Sequence, residues 1–275
     1  MNPSADPRTV VVTGASSGIG AALALAHARP GVALALTGRD PVRLAAVAAG
    51  ARAKGATVRE GIFDVRELDR LAAFLADVDD TGPIDVLYAN AGVAAGLGPD
   101  RSAEPLDTAM RLVDVNLKGV IATVSAVVER MRARRRGHIV LVSSLAGLQA
   151  HPDMPTYSAS KAAVRFYGDS LRQWLRPAGV AVTVVCPGFV TSPMANRHKG
   201  AKPFEISADR AAALIVRGVA RRRPLIAFPW PLVLSIWLSN LVPTVIADLG
   251  MRGFAAVVDP DDETARERER RRQAP

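Results

Sequence analysis

Two kinds of segment alternate along residues 8–228. Short runs rich in Val, Leu and Ile, apolar on both faces, are separated by Ala-rich stretches of helical length. Such runs are typical of strands in a parallel sheet that helices cover on both sides. The predicted strands are Val10 to Thr13, Val32 to Thr37, Thr57 to Phe63, Val86 to Asn90, His138 to Ser143 and Val180 to Cys186. The pattern therefore predicts an α/β fold, a doubly wound parallel sheet in three layers (α/β/α) that forms a single domain.

The C-terminal part of the chain differs from this repeat. Leu225 to Phe228 is consistent with a final strand. Residues 229–249 are strongly apolar, but they are interrupted by Pro231, Ser235, Ser239, Asn240 and Pro243. A membrane-spanning helix needs about 20 uninterrupted apolar residues. We therefore expect residues 229–249 to cover the substrate pocket or to make peripheral contact with a membrane surface. The predicted units are the α/β domain over 1–228, this apolar segment over 229–258, and a polar, partly disordered tail over 259–275.

The chain has a formal net charge of +9, which raises the question of nucleic-acid binding. Its densest basic clusters, Arg132 to Arg136 and Arg221 to Arg223, stand where helices are predicted to end, and cations there favour the helix dipole. No nucleic-acid-binding motif accompanies them, so no nucleic-acid partner is expected. No secretory signal is visible, which makes a cytoplasmic location the expectation.

A glycine-rich loop follows the first predicted strand. Its sequence is Thr13-Gly14-Ala15-Ser16-Ser17-Gly18-Ile19-Gly20. Gly14 permits a tight turn, Gly18 lets the backbone approach a phosphate, and Gly20 lets the next helix pack on the strand. Free N–H groups at the helix N-terminus attract anions, and Ser16 and Ser17 add hydroxyl donors. The loop predicts a dinucleotide pyrophosphate site, with a purely structural turn as the alternative.

Gly38, Arg39 and Asp40 follow the second predicted strand. Folds that bind NAD place an acidic residue at this point to bind the adenosine ribose. Gly38 removes the carboxylate that would repel a 2′-phosphate, and Arg39 offers a planar set of donors that suits one. The pattern therefore favours NADP (NADPH) over NAD. In the alternative, Arg39 is a solvated loop residue and Asp40 binds the ribose.

Tyr157 and Lys161 stand near the start of a predicted helix that extends to about Leu175. Their spacing of four residues places them on one helix face, where the ammonium charge can act on the phenol. A free tyrosine titrates at about pH 10 and is a poor base at neutral pH. We expect the lysine and an oxidised nicotinamide ring to lower the pKa of Tyr157. The two residues are therefore predicted to act as an acid/base pair.

Ser144 directly follows the strand His138 to Ser143, at the carboxyl edge of the predicted sheet. Its hydroxyl is predicted to donate a hydrogen bond to the substrate oxygen. Ser143 is the rival for this task, and the spacing of Ser144 to Tyr157 favours Ser144.

These motifs together resemble the short-chain dehydrogenase/reductase family, in its compact single-domain branch with a Rossmann-type fold. The resemblance covers about residues 8–195. It rests on the loop TGASSGIG, Asn90-Ala91-Gly92, Asn116, Ser144, Tyr157-x-x-x-Lys161 and Pro187-Gly188, in that order. One departure is Ala89, where members of the family often have Asn.

The resemblance implies a nicotinamide cofactor site. Asp64 and Val65 would hold the adenine, and Lys161 would hold the nicotinamide ribose. The residues implied to support the sheet and line the cofactor are Asn90, Ala91 and Gly92. Those implied to border the nicotinamide are Pro187, Gly188, Val190 and Thr191.

The resemblance also implies a catalytic tetrad and an oligomer. Asn116 would join Ser144, Tyr157 and Lys161 and would organise a water that links Lys161 to solvent. Members of the family usually form a homodimer or homotetramer through the helices that carry Asn116 and Tyr157, so one of these is expected.

The predicted reaction is hydride transfer between nicotinamide and a carbonyl or alcohol carbon. The loop after Thr191 and the apolar C-terminal segment indicate a hydrophobic alcohol, aldehyde or ketone as substrate. Two alternatives remain open. One is a catalytically idle NADP-binding sensor or scaffold, and the other is an epimerase or lyase on the same fold.

Several other side chains are of types that can react, bind a metal or line a pocket. Cys186 lies in a predicted buried strand and is interpreted as a core residue. The four histidines lack metal-ligand spacing, so no metal site is expected. His151 either borders the substrate pocket or is a surface histidine. The aromatic and Met residues considered as pocket lining, with core packing as the alternative, are Phe189, Met194, Trp230 and Trp237.

Overall fold

The computed structural model describes residues 7–243, residue 246 and residues 257–259. Its strands are β1 Thr9–Val12, β2 Ala33–Gly38, β3 Thr57–Ile62, β4 Val86–Ala89, β5 His138–Val142, β6 Ala181–Pro187 and β7 Leu225–Phe228. All neighbouring strands pair in parallel, in the order β3-β2-β1-β4-β5-β6-β7. The predicted parallel, doubly wound sheet is confirmed, and its strand order reverses between β1 and β4.

Helices cover both faces of the sheet. They are α1 Gly18–His27, α2 Pro41–Ala53, α3 Leu68–Thr81, α4 Leu106–Val113, α5 Gly119–Ala133, α6 Pro155–Leu175, α7 Pro193–Asn196, α8 Ala208–Ala220 and α9 Trp230–Ser239. One hydrophobic core joins the sheet to α3, α5 and α6, and a second joins the opposite face to α1, α2 and α8. The molecule therefore has the three predicted layers.

The strand residues alternate between these two cores. In β1, Val10 and Val12 pack in the core with α1, whereas Val11 packs in the core with α3. The prediction of strands that are apolar on both faces is wrong for β3. This strand pairs only with β2, so it lies at the edge of the sheet, and its residues Thr57, Arg59 and Ile62 are exposed.

The first basic cluster spans the end of α5 and the second directly follows α8, as predicted. Side chains of the first cluster form ion pairs. Arg134 donates to Asp79 at 2.8 Å, and Arg136 donates to Asp85 at 2.7 Å. These contacts join the end of α5 to the last turns of α3 and to the residue that precedes β4.

The chain after β7 forms α9, which packs on a small apolar cluster of Leu145, Val184 and Cys186. Cys186 is fully buried, as predicted. No helix in the described part of the chain is both long and apolar enough to cross a bilayer. The predicted polar tail lies outside the described residues except for Asp259, and the division of the chain at residues 228 and 258 stays a prediction.

Candidate active site

A cavity of about 1670 Å³ lies beside the point where the strand order reverses. A pocket for one small ligand has roughly 300–1,000 Å³, so this cavity has room for a dinucleotide and a substrate together. The predicted residues that line it are Gly14, Ser16, Ser17, Gly18, Ile19, Gly20, Arg39, Asp64, Val65, Asn90, Ala91, Gly92, Ser144, Tyr157, Lys161, Pro187, Gly188 and Val190. Of the predicted site residues, all of which the structure describes, Asn116 and Thr191 alone do not line it.

The glycine-rich loop has the geometry of a phosphate site. Gly14 and Gly18 have φ angles of 67° and 53°, a region that favours glycine. A Cβ at Gly14 would lie 2.7 Å from the Cα of Ala91. In the described part of the chain, the Ser17 side chain caps no N–H of α1, and the first turn of α1 has no acidic residue. The first N–H groups of α1 are therefore available to an anion, and the loop fits a cofactor's phosphates.

Asn90 joins this loop to the end of β4. Its side-chain Nδ2 donates to the carbonyls of Thr13 at 2.9 Å and Gly14 at 3.2 Å. Its backbone N–H donates to the Thr13 hydroxyl at 3.0 Å. These bonds hold the loops after β1 and β4 together, which is the supporting contact that the family resemblance implied for Asn90.

After β2, the side chains of Asp40 and Arg39 bind different partners. Asp40 caps α2, because its two oxygens accept from the backbone N–H of Arg43 at 2.9 Å and from Arg43 Nε at 2.6 Å. These bonds lower the pKa of Asp40. Arg39 is half exposed and meets Asp64 at 3.5 Å, whereas Arg66 binds the same carboxylate at 3.0 Å. Asp64 thus keeps a closer partner if Arg39 turns towards a ligand.

Helix α6 brings Tyr157 and Lys161 to the cavity wall. Lys161 Nζ lies 5.9 Å from the centroid of the Tyr157 ring and donates to the carbonyl of Val142 at 3.0 Å. Burial lowers the pKa of Lys161 to about 8 and raises the pKa of the Tyr157 phenol. The lysine by itself therefore does not produce the predicted lowering of the Tyr157 pKa, because desolvation outweighs an ammonium at that distance. At neutral pH the phenol keeps its proton.

The two serines after β5 have different partners. Ser144 begins a helical turn, Leu145–Gly147, where its oxygen accepts from the N–H of Ala146 at 3.1 Å. A hydrogen bond between Ser144 and Tyr157 opposes the rise that burial causes in the pKa of the phenol. Ser143 is buried and donates its hydroxyl to the carbonyl of Lys161 at 2.7 Å. The geometry favours Ser144, as the spacing predicted.

Asn116 lies in a π-helical turn, Asp114–Lys118, between α4 and α5. Its Oδ1 accepts from the N–H of Val93 at 2.8 Å, and its Nδ2 donates to the carbonyl of Val93 at 2.9 Å and to Ser160 at 3.1 Å. A Cβ at Gly92 would lie 3.2 Å from both Asn116 Oδ1 and Lys161 Nζ. Asn116 thus positions the loop after β4 next to Lys161, while its link to a water stays a prediction.

The segment after β6 forms another wall of the cavity. Gly188 donates its N–H to the carbonyl of Phe228 at 2.7 Å, which joins this wall to the end of β7. Thr191 is not among the residues that line the cavity, and its place beside the nicotinamide stays a prediction. Its N–H and its hydroxyl both contact the carbonyl of Ile206, at 3.0 and 3.4 Å, because Val190 pairs with that residue in a short parallel bridge.

Helix α9 presents two apolar faces. One face lines the cavity with Leu232, Ser235, Ile236 and Ser239. The opposite face leaves Trp230 and Trp237 exposed, at 73% and 66%, so these two residues do not line the cavity as considered above. The helical spacing of the lining residues could have identified them from the sequence.

Further residues line the cavity, and the sequence had suggested only some of them as site residues. The candidates Phe189, Met194 and His151 do line the cavity. So do Arg43 and Met154, which the sequence did not suggest, and His198, which was a candidate only as a metal ligand. Arg43 had a signal, since a basic residue in the first turn of the helix after β2 lies near Arg39. His198 had no such signal in the sequence, because only contacts between two separate loops bring it to the cavity wall. Within residues 7–243, 246 and 257–259, no group of three or more His, Cys, Asp or Glu side chains is placed to hold a metal ion.

Comparison with known proteins identifies the family. A protein-family model described as short chain dehydrogenase matches residues 8–202 of the sequence. An uncharacterized oxidoreductase of Myxococcus xanthus is 37% identical, over 89% of this chain and 96% of the relative. The chain therefore belongs to the short-chain dehydrogenase family. It is an oxidoreductase that acts on CH–OH or C=O groups.

Solved structures agree in fold. A short-chain dehydrogenase of Burkholderia phymatum in complex with NAD superposes with a TM-score of 0.79, at 27% identity, over 94% of this chain and 99% of the other. One of Sphingobium yanoikuyae in complex with NADPH has a TM-score of 0.73, at 29% identity, over 85% and 95%. A bulky-bulky ketone specific alcohol dehydrogenase of Comamonas testosteroni has a TM-score of 0.72, at 26% identity, over 86% and 94%.

Proposed function

We propose that this chain is an NADP-dependent oxidoreductase that transfers a hydride between nicotinamide and a carbonyl or alcohol carbon of a hydrophobic small molecule. One observation carries the proposal. The Tyr157 phenol, the Ser144 hydroxyl and the buried Lys161 ammonium line the same cavity as the glycine-rich loop. A proton donor and a phosphate site thus share one space, which is what reduction of a carbonyl with a dinucleotide requires.

Each member of the predicted tetrad has a task in this reaction. Tyr157 donates its proton to the substrate oxygen during reduction and regains one during oxidation. Ser144 donates a hydrogen bond to the same oxygen. Lys161 holds a positive charge beside the phenol, and Asn116 positions the loop next to Lys161. When bound, the cofactor supplies or accepts the hydride.

NADP is preferred to NAD on the basis of the residues after β2. Each carboxylate oxygen of Asp40 already accepts from Arg43, which makes Asp40 a poorer ribose acceptor than the alternative requires. Arg39 lines the cavity and is half exposed, and its guanidinium suits a 2′-phosphate. The NADPH bound to the relative from Sphingobium yanoikuyae is consistent with this preference, and the NAD bound to that from Burkholderia phymatum makes the choice a matter for experiment.

A hydrophobic substrate is supported by the remaining walls of the cavity. Apolar side chains line it from the turn after β5, the loop before α6, the loop after β6 and helix α9. They are Leu145, Met154, Phe189, Leu232 and Ile236. The specificity of the Comamonas testosteroni relative for bulky ketones fits a cavity of this kind.

The proposal is tested by incubating the purified chain with NADPH or NADH and a panel of aliphatic and aromatic ketones and aldehydes. We expect NADPH oxidation in a one-to-one ratio with alcohol formed, and slower oxidation of NADH. Product formed without NADPH consumption would instead favour the epimerase or lyase. Tight NADPH binding without turnover of any substrate would favour the sensor or scaffold.

Three further expectations stay predictions. They are a homodimer or homotetramer, a cytoplasmic location, and peripheral membrane contact through residues 229–249. The exposed tryptophans of α9 are compatible with such contact, and its other face is compatible with the substrate cover that was the alternative.

A further inference from the structure

Two imidazole rings meet on the wall of the active-site cavity, and neither belongs to the proposed tetrad or cofactor site. His151 comes from the loop before α6, and His198 follows α7. Their ring centroids are 5.9 Å apart in an edge-to-face arrangement. Both residues line the cavity, so a ligand that fills it can contact the pair.

His151 is fixed close to the proposed proton donor. Its backbone N–H donates to the hydroxyl of Ser158, the residue after Tyr157, at 3.0 Å. Its ring Nδ1 accepts from the backbone N–H of Asp153 at 3.3 Å. An imidazole nitrogen that accepts carries no hydrogen, so the hydrogen of the neutral ring is on Nε2. His151 therefore offers an N–H donor.

His198 is fixed by contacts from several sides. Its ring packs against Phe189, with centroids 4.9 Å apart, and its backbone forms an antiparallel bridge with Val258. A hydrogen bond from its ring to the backbone of Ala201 favours the protonated form. In the neutral ring one nitrogen donates that bond, so the other nitrogen has a free lone pair. His198 therefore offers an acceptor.

Both rings are neutral at physiological pH. Burial lowers the pKa of His151 and of His198 below the ordinary value, and this effect outweighs the opposing influence of Asp153 on each ring. The pair therefore presents one donor and one acceptor, with no formal charge.

We propose that His151 and His198 together bind a hydroxyl group of the substrate, at a distance from the carbonyl that is reduced. This inference rests on the proposed function, because it names the substrate class for the same cavity: hydroxy ketones with an apolar connecting chain. A hydroxyl both donates and accepts a hydrogen bond, which matches the donor of His151 and the acceptor of His198. A carboxylate fits less well, because it only accepts hydrogen bonds and so offers nothing to the acceptor of His198.

The first experiment compares substrates on the unmodified protein. Methyl ketones of increasing chain length are assayed with NADPH in three matched forms, which end in a methyl, a hydroxyl or a carboxylate group. At one chain length we expect the hydroxyl form to have a kcat/KM about 30-fold above the methyl form, the effect of two neutral hydrogen bonds. Equal values at every length, or a preference for the carboxylate, would overturn the inference. If the protein reduces the methyl form but not the hydroxyl form, the inference is overturned while the proposed function is still supported.

The second experiment uses variants that keep the packing of the rings. His151→Phe and His198→Phe retain an aromatic ring but remove its hydrogen bonds, whereas His151→Gln retains a donor near the position of Nε2. We expect each Phe variant to lose most of the preference for the hydroxyl form, mainly through KM, and the kcat/KM of the methyl form to fall much less than that of the hydroxyl form. The His151→Gln variant should keep part of the preference for the hydroxyl form. An equal loss for both substrates in the Phe variants would show a purely structural pair and overturn the inference.

Discussion

The side chain of Asn116 binds both the N–H and the carbonyl of Val93, at 2.8 and 2.9 Å, and so joins the π-helical turn between α4 and α5 to the loop after β4. Asn116 is fully buried, and it also donates to Ser160. Buried polar groups that lose such partners are costly. The bond pattern makes Asn116 a structural link as well as a member of the proposed tetrad.

Replacing Asn116 by Ala should therefore destabilise the protein. The backbone N–H and carbonyl of Val93 would lose their partner in a buried site, and we expect a loss of about 3 kcal/mol in the free energy of unfolding. Urea denaturation measures this loss. The exposed Asn196→Ala in α7 is the matched control and should change stability by less than about 0.5 kcal/mol. Equal stabilities of the two variants would contradict the structural link.

The Tyr157→Phe substitution removes the proposed proton donor and keeps the ring. We expect kcat for ketone reduction to fall by about 10²–10⁴-fold, the usual contribution of general acid catalysis, with NADPH binding nearly unchanged. Steady-state kinetics and a fluorescence titration of NADPH measure the two quantities.

Tyr167→Phe is the control for this variant, because Tyr167 is on the same helix and is not among the residues that line the cavity. Its activity should equal that of the unmodified chain. Full turnover by the Tyr157→Phe variant would refute the assignment of Tyr157 as proton donor.

Arg39→Ala tests the choice of cofactor. Charge-assisted hydrogen bonds to a phosphate are worth about 1.5–3 kcal/mol, so KM for NADPH should rise by about 10–100-fold while KM for NADH stays the same. Arg66→Ala is the matched control, since Arg66 binds the same Asp64 carboxylate but does not line the cavity. If both variants weaken NADPH and NADH equally, Arg39 acts through Asp64 and not through a 2′-phosphate.

His138 should make the fold sensitive to acid. Burial, with a smaller contribution from Arg222, lowers its pKa to about 4. The hydroxyl of Thr183 donates to the carbonyl of Arg223, so His138 Nε2 carries the hydrogen that bonds to Thr183 at 2.8 Å. The unfolded chain binds a proton at about pH 6.5, whereas the folded chain does so only near pH 4. Stability is therefore complete above pH 6.5 and is lost as the pH falls towards 4.

This loss should reach about 2 kcal/mol at pH 5. Urea denaturation at several pH values, compared with a His138→Gln variant, isolates the contribution of this residue. The variant should be less stable at pH 8 but should lose less stability between pH 7 and pH 5. Parallel curves for the two proteins would refute the prediction.

The fold and most of the site were predictable because local patterns encode them. Each central strand is apolar on both faces, and the glycine spacing after β1 leaves few alternatives for the backbone. The error at β3 came from the same pattern, since a run of residues does not reveal that its strand lies at an edge. The contact of Thr191 with Ile206 was also not predictable, because Ile206 belongs to a separate segment.

The sequence by itself determined the parallel sheet, the glycine-rich loop and the pairing of Tyr157 with Lys161, because each depends on residues that are near neighbours along the chain. Only the tertiary structure decided that Asp40 caps a helix, that Asn116 binds Val93, and that one face of α9 lines the cavity. It alone brought His151 to His198. These features depend on contacts between distant segments, where burial and hydrogen bonds set both the charge of a group and its partner.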